Sequence, residues 1–301
     1  MRKSPIVVGL GEILWDLLPS GRQLGGAPAN FAYCSHLLGN RAIVASRVGS
    51  EDLGTAIREE LRRKQLTDDF VQSDPLISTG TVNVDIDPAG QPKFEIAYPA
   101  AWDFMEWDTY LQKLAQSADA ICFGSLAQRS DKSRQTILKF LDAASKDALR
   151  IFDVNLRQSF YSAEIVEHSM ERSNVVKLND HELPIVAKLL GIPELGFAET
   201  VLARFNVRLV CLTRGDKGSL LTDPAGTHEH PGFCVQVKDT VGAGDAFTAG
   251  LVHELLRGSP PLALMNDTAN RMGAWVASSS GAMPEAPKEG LNAALVKLGE
   301  M

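Results

Sequence analysis

Short unbroken blocks of apolar residues alternate along this chain with longer stretches in which apolar positions recur every three or four residues. The blocks predict buried strands at Ile6 to Leu10, Arg41 to Val48, Ala120 to Gly124, Arg150 to Val154, Asn174 to Lys177 and Val207 to Thr213. The periodic stretches predict helices over 108–116, 131–146, 163–170 and 180–190. Another helix runs to about Gln65, with Ser50 as N-cap and Glu51 and Asp52 in its first turn. Strands apolar on both faces, spaced by amphipathic helices, predict an α/β fold: a mostly parallel sheet covered on both sides. One segment breaks the alternation. Thr79 to Asp87 has the period of an exposed strand, Pro88-Ala89-Gly90 reads as a turn, and Phe94 to Tyr98 returns as a hairpin partner.

Two glycine-rich turns open helices. In Leu24-Gly25-Gly26-Ala27-Pro28-Ala29-Asn30-Phe31-Ala32, Pro28 suits the first helical position and Gly39 the end. Phe31, Cys34, Leu37 and Leu38 form its buried face. In Asp239-Thr240-Val241-Gly242-Ala243-Gly244-Asp245-Ala246-Phe247, the glycines permit positive φ and close approach of a ligand. Phe247, Leu251 and Leu255 then recur as one helical face, and Gly258 and Pro260 supply the stop. A second helix spans Pro261 to Ala277, and Ser278 to Ala282 form a loop. Free amides of Gly242, Ala243 and Gly244 at a helix N-terminus make an anion site. Asp245 adds a carboxylate able to take a proton. Such turns also occur as plain strand-to-helix connections, so the residues alone leave both readings open. The Walker pattern and a proper G-x-G-x-x-G fingerprint are both absent.

Composition narrows the classes. The chain has 301 residues, 45% of them hydrophobic, enough for one large α/β domain or two small ones. The formal charge of −7 and the lack of a basic run argue against nucleic acid or a membrane surface as partner. No apolar run approaches the ~20 residues of a membrane span. Glu12 and Asp16 interrupt the N-terminal apolar run, so it reads as a strand and not a signal peptide. Cys34, Cys122, Cys211 and Cys234 are far apart without a C-x-x-C, which predicts reduced, mostly buried thiols in a cytoplasmic protein. No internal repeat, low-complexity tract or linker divides the chain.

The run 239–247 closely resembles the C-terminal signature of the ribokinase-like (PfkB) carbohydrate kinases, and G-G-x-x-x-N at 25–30 resembles their N-terminal signature. The resemblance covers the whole chain, 1–301. It implies a single three-layer ribokinase-like domain with a small β-sheet lid, here from about 12–19 and 78–99. It also implies transfer of the γ-phosphate of ATP, with Mg2+, to a sugar hydroxyl. Asp245 then corresponds to the base, and Gly242, Ala243 and Gly244 to the anion hole. Asp16 falls where the family binds two sugar hydroxyls, and Gly25, Gly26 and Asn30 also meet the sugar.

Further motifs resemble the family's. Asp153-Val-Asn155-Leu-Arg157 matches D-x-N-x-R, with Arg157 available for phosphate oxygens. Asn179-Asp-His-Glu182 matches the N-x-x-E linked through water to magnesium and phosphate. Thr213-Arg-Gly215-Asp-Lys-Gly218 matches the T-x-G-x-x-G beside the nucleotide, and Asn270 lies near the adenine position. Many members bind a potassium-like ion, here between Asp239, Val241 and the loop carbonyls at Gly281. Plain readings stand beside these. Asp16 ends a strand, Asn30 lies on an exposed helix face, Arg157 is a surface cation, Asn179 and Glu182 form a capping box, the glycines turn a hairpin, and Asn270 is solvated.

The stretch from Tyr98 to Asp103 looks like that of bacterial fructokinases, which puts Tyr98 at the sugar. Ribokinases carry an Asn where this chain has Leu14. Kinases of 2-keto-3-deoxygluconate usually carry an Arg near 100, and no Lys or Arg lies between Phe94 and Tyr110. An acid would be left unpaired, so a neutral sugar, D-fructose, is expected. The alternatives are a ribose, nucleoside or keto-deoxygluconate kinase, or a silent sugar-binding protein. Lid strands often pair between subunits in this family, which implies a homodimer as one assembly.

Overall fold

The computed structural model describes residues 4–19, 21–86, 92–258 and 260–298. Its strands are β1 (Ile6–Leu10), β2 (Leu14–Leu18), β3 (Gly21–Gly25), β4 (Arg41–Gly49), β5 (Val71–Asp74), β6 (Gly80–Ile86), β7 (Pro92–Ile96), β8 (Ala120–Phe123), β9 (Leu149–Asp153), β10 (Val175–Asn179), β11 (Leu209–Thr213), β12 (Ser219–Asp223) and β13 (Gly226–His230). The α-helices are α1 (Ala27–Leu37), α2 (Asp52–Arg63), α3 (Thr109–Ser117), α4 (Asp131–Ala143), α5 (Ala163–Glu171), α6 (Glu182–Leu190), α7 (Phe197–Phe205), α8 (Ala243–Leu256), α9 (Leu262–Ala277) and α10 (Leu291–Lys297).

Nine strands form the main sheet in the order β13-β12-β11-β10-β9-β8-β1-β4-β5. All neighbours are parallel except β11 with β12 and β12 with β13. The strand period of two divides the core between its faces. Val7 and Val44 pack with α1, α8 and α9, while Val8, Ile43 and the stacked pair Phe123 and Phe152 pack under α3 to α7. β1 lies between β4, which follows it, and β8, which comes much later. The strand order reverses there, and the crevice beyond its carboxyl end is where open α/β sheets bind ligands.

The hairpin forms as β6 and β7, antiparallel from Val82 opposite Ile96; its predicted turn at 88–90 lies outside the described residues. The small sheet has four strands, β3-β2-β6-β7. It takes in β3 at 21–25, which the predicted lid lacked, because Gly21 and Gly25 bracket a polar strand with no alternation.

Smaller corrections have tertiary causes. Ser50 does not cap α2: Glu51 takes that place, and the Ser50 hydroxyl donates to Asp74 O at 3.0 Å. Pro28 is the second residue of α1, behind Ala27. α1 and α8 are buried on more than one face, since each lies between the sheet and other helices. Cys34, Cys122 and Cys211 are buried and Cys234 is exposed. Among the described residues, no helix is long and apolar enough to cross a membrane.

Candidate active site

The turn into α8 is built from its own side chains. Asp239 Oδ1 accepts the Val241 amide at 3.0 Å. Gly242 adopts φ 79, the third-position conformation of a type II turn. The Ala243 amide closes that turn on Thr240 O at 3.2 Å. Ala243 therefore does not offer the free amide expected of it. Among the described residues the next two amides, Gly244 and Asp245, have no backbone acceptor, and residues 242–245 are only half-buried. The turn is open where the helix dipole is most positive. A Cβ at Gly242 would lie 2.6 Å from that of Ala282, so only glycine fits against the 281–282 loop.

Asn30 Nδ2 donates to Asp245 Oδ2 at 2.8 Å. Asn30 is 4% exposed, which rules out an exposed helix face, and its Oδ1 has no partner. Gly26 is the N-cap of α1 with φ 105; a Cβ there would lie 2.5 Å from Glu12 O. This close approach brings the α1 terminus up against the chain leaving β1. The Asp245 carboxyl is pushed up to about 6, by burial first and then by Asp153, while Asn30, Lys177 and Arg157 oppose the rise. It is still mostly ionised at neutral pH.

Beneath the turn lies a pair that the sequence reading did not single out. Lys177 Nζ meets Asp153 Oδ1 at 3.0 Å, both nearly buried. The Thr248 hydroxyl lies 3.1 Å from Asp153 Oδ2 and 2.9 Å from Gly244 O. Burial opposes the charge on Lys177, but Asp153, then Glu182 and Asp245, outweigh it and its pKa is raised. A Cβ at Gly244 would come within 3.0 Å of Nζ. The ammonium is thus directly under the amide turn.

Asn179 and Glu182 form the reciprocal capping box. Asn179 Oδ1 accepts the Glu182 amide at 2.9 Å and Glu182 Oε2 accepts the Asn179 amide at 2.9 Å. Glu182 Oε1 also accepts the Leu156 amide at 2.8 Å, tying α6 to the segment before Arg157. Burial raises the Glu182 pKa, against Lys177. Asp16 lies opposite Gln23 in the β2–β3 pair, and its carboxylate reaches diagonally over Gly25, where a Cβ would run into it. Its pKa rises to about 6, through burial first, with Arg157 opposing and Asp239 adding to the rise. Arg157 is exposed, yet its charge is felt by Glu12, Asp16 and Asp245.

Tyr98 is 65% exposed and stacks on Phe160 at 6.3 Å between centroids. The absence of a nearby cation in sequence does not hold in space. Arg129 reaches this corner from the loop before α4, 4.9 Å from the Tyr98 ring. Its charge is matched by buried Asp103 at 2.8 Å, and it also donates to Ala97 O at 2.6 Å.

On the other side of the cleft, Thr213 ends β11, with Gly215 at φ 58 and Gly218 at φ 75 in the loop beyond. Asn270 is neither solvated nor open: its Nδ2 is held by Ser219 Oγ at 2.8 Å and Asn266 O at 2.7 Å. Its Nδ2 is spent on joining α9 to β12. Gly281, at φ 73, donates its amide to Asp239 Oδ2 at 3.2 Å. Among the described residues no cluster of three or more His, Cys, Asp or Glu could hold a metal ion alone. A cavity of about 580 Å³ lies between β3, α2 and the 280–285 loop, and Asp245 does not line it.

Glu12, Lys177, Thr248 and Arg129 were missed. Lys177 and Glu12 had a visible signal, a charge inside or at the end of an apolar run, which was not read as part of the site. The others depend on long-range contacts.

The model of the pfkB family carbohydrate kinases matches residues 21–289. A fructokinase of Salmonella typhimurium is 30% identical over 295 residues, covering 92% of this chain and 95% of that protein. One of Klebsiella pneumoniae is 30% identical over 299 residues, with coverage of 92% and 95%. Among solved structures, Xylella fastidiosa fructokinase with bound ATP superposes with a TM-score of 0.85 at 21% identity, covering 98% of each chain; this likeness is one of fold. A double-mutant Vibrio cholerae fructokinase in its fructose, ADP and potassium ion bound form has a TM-score of 0.80 at 27% identity, again over 98% of each chain. With its two signature turns hydrogen-bonded to one another, and the family match spanning nearly its full length, this chain belongs to the PfkB carbohydrate kinases, which are phosphotransferases acting on sugars.

Proposed function

We propose that this kinase is an ATP-dependent fructokinase. One observation supports it above others: Asn30, from the first signature, donates to Asp245, from the second, 215 residues away. That contact joins a half-buried carboxylate to both signature runs, the arrangement expected if the first holds the sugar and the second meets the phosphoryl group. The named relatives at 30% identity are fructokinases, and the Vibrio cholerae structure holds fructose and ADP. Arg129 offers no net charge to an acid substrate, because Asp103 already matches it.

In the proposed reaction, Asp16, Gly25, Gly26, Asn30 and Tyr98 hold the sugar, and Asp245 takes the proton of the attacking hydroxyl. The Gly244 and Asp245 amides meet the charge growing on the transferring phosphoryl oxygens, backed by Lys177 and Arg157. The small sheet closes over the cleft and excludes water, which would otherwise compete as acceptor. Thr213, Gly215 and Gly218 border the nucleotide. Asn270 braces β12 there through its Nδ2.

Mg2+ is normally held by one or two carboxylates together with substrate phosphates. Glu182 fits this role through water, since a carboxylate that accepts two amides still has lone pairs to offer. When bound, the metal would supply positive charge that offsets the charge of the phosphates. We further propose a monovalent cation beside Asp239, Val241 and Gly281, as the potassium ion in the Vibrio cholerae structure encourages. Release of ADP, followed in a coupled assay over D-fructose, D-ribose, D-glucose, adenosine and 2-keto-3-deoxygluconate, tests the assignment. D-Fructose should give the highest kcat/KM. A larger value for another sugar would replace fructose, and no turnover with any would remove catalysis itself.

A further inference from the structure

Glu12 leaves the end of β1 and is 2% exposed, yet it belongs to none of the motifs above. The N-cap of α1 is Gly26, which has no side chain to satisfy the first amides of the helix. No side-chain hydrogen bond caps that terminus. The Glu12 carboxyl lies near the Ala27 amide, which favours its charged form. Its Oε2 is buried and has no partner. One turn along the same helix, Asn30 Oδ1 is buried and partnerless too. The charged groups around Glu12 are Arg157 and Asp245, which also face the sugar position.

Buried acceptors are rarely left unpaired in native proteins. Two orphans at one helix terminus, both beside the same carboxylate, point to a ligand that brings hydrogen-bond donors. An anion does not fit, because among the described residues there the Glu12 and Asp245 carboxylates stand against the single cation Arg157. A polyhydroxylated neutral molecule does, because a hydroxyl can donate to a carboxylate and also accept from a carboxylic acid.

We propose that Glu12 contacts the sugar directly and helps to select it. Its Oε2 binds one substrate hydroxyl and Asn30 Oδ1 binds another, beside the hydroxyl that Asp245 activates. This rests on the reading of that cleft as the sugar site. A sugar with the Glu12-bound hydroxyl missing or inverted leaves Oε2 unpaired and is rejected.

Turnover of the wild type over the sugar panel first identifies the parent sugar. If that is not D-fructose, the fructose assignment fails by itself, and the test continues with the parent found. Glu12→Ala is then compared with wild type on the parent and on its monodeoxy analogues. The variant should lose about 10- to 100-fold in kcat/KM on the parent, with KM for ATP unchanged within about two-fold. That loss should vanish for the one analogue that lacks the partner hydroxyl. Glu12→Gln, which can still pair with a hydroxyl, should recover much of the rate. Should Glu12→Ala not fold, Glu12→Asp, with the acid drawn back by one methylene, should show the same analogue-selective loss. An equal loss on every analogue, a rise in KM for ATP in step with that for sugar, or failure of both Glu12→Ala and Glu12→Asp to fold would assign Glu12 to the support of α1 and overturn the proposal.

Discussion

Replacing Asp245 with Asn should make this protein more stable and nearly inactive. The carboxyl pKa rises from 3.8 to about 6 on folding, so the ionised group weakens the folded state. The sign follows from linkage: stability present below pH 3.8 is lost as pH rises through about 6. Two pH units at ~1.4 kcal/mol each set a ceiling of ~3 kcal/mol, and the half-open face of the carboxylate brings this to ~1–2 kcal/mol. The introduced side-chain amide keeps a partner. Its oxygen can still accept from Asn30 Nδ2, so the contact at 2.8 Å is retained. Asp245→Asn should therefore melt a few degrees above wild type at pH 8, and the gain should be gone near pH 4. Turnover should fall by ~10²–10⁴, the range of a positioned base, with KM for the sugar little changed. In the wild type, kcat/KM should drop as pH falls below about 6 and the base takes up its proton. Thermal melts at both pH values and steady-state kinetics supply the readouts. A variant no more stable than wild type at pH 8, or one within ten-fold in turnover, would overturn the role given to this carboxylate.

Gly242→Ala places a Cβ 2.6 Å from that of Ala282 at φ 79; the left-handed strain alone costs ~1–2 kcal/mol, and kcat should fall more than ten-fold as the amide turn shifts, read by calorimetry and turnover together. Lys177→Met strands the buried Asp153 carboxylate and should cost ~3–5 kcal/mol in urea denaturation; the double change with Asp153→Leu should regain stability without regaining activity. Activity should be higher in potassium than in sodium or ion-free buffer, and equal rates in all three would remove the cation beside Asp239.

Much of the catalytic end was legible in the chain because it is encoded locally. A turn that needs positive φ must use glycine, so Gly242 and Gly26 can be read wherever they stand. Apolar runs of strand length located β1, β8, β9 and β11 to within a residue or two, since strands buried on both faces have little freedom of composition. β5 and β3 escaped notice because their residues are mostly polar and are held by neighbours, not by their own pattern. The Asn179–Glu182 box lay between, visible as spacing and shown by the fold to be reciprocal.

Which charges meet could be settled only by packing. Arg129 pairs with Asp103 across 26 residues, and Lys177 pairs with Asp153 across 24. No local rule joins them, because ion pairing depends on distance in space, and the parallel crossovers set that distance. The order of amino acids carried the kinds of element and the chemistry of the two turns. The fold placed Asn30 against Asp245, lifted the pKa of Glu12 and Asp16 by burial, and turned the Asn270 amide inward. Burial and pairing belong to the packed molecule, and a linear string of residues holds neither.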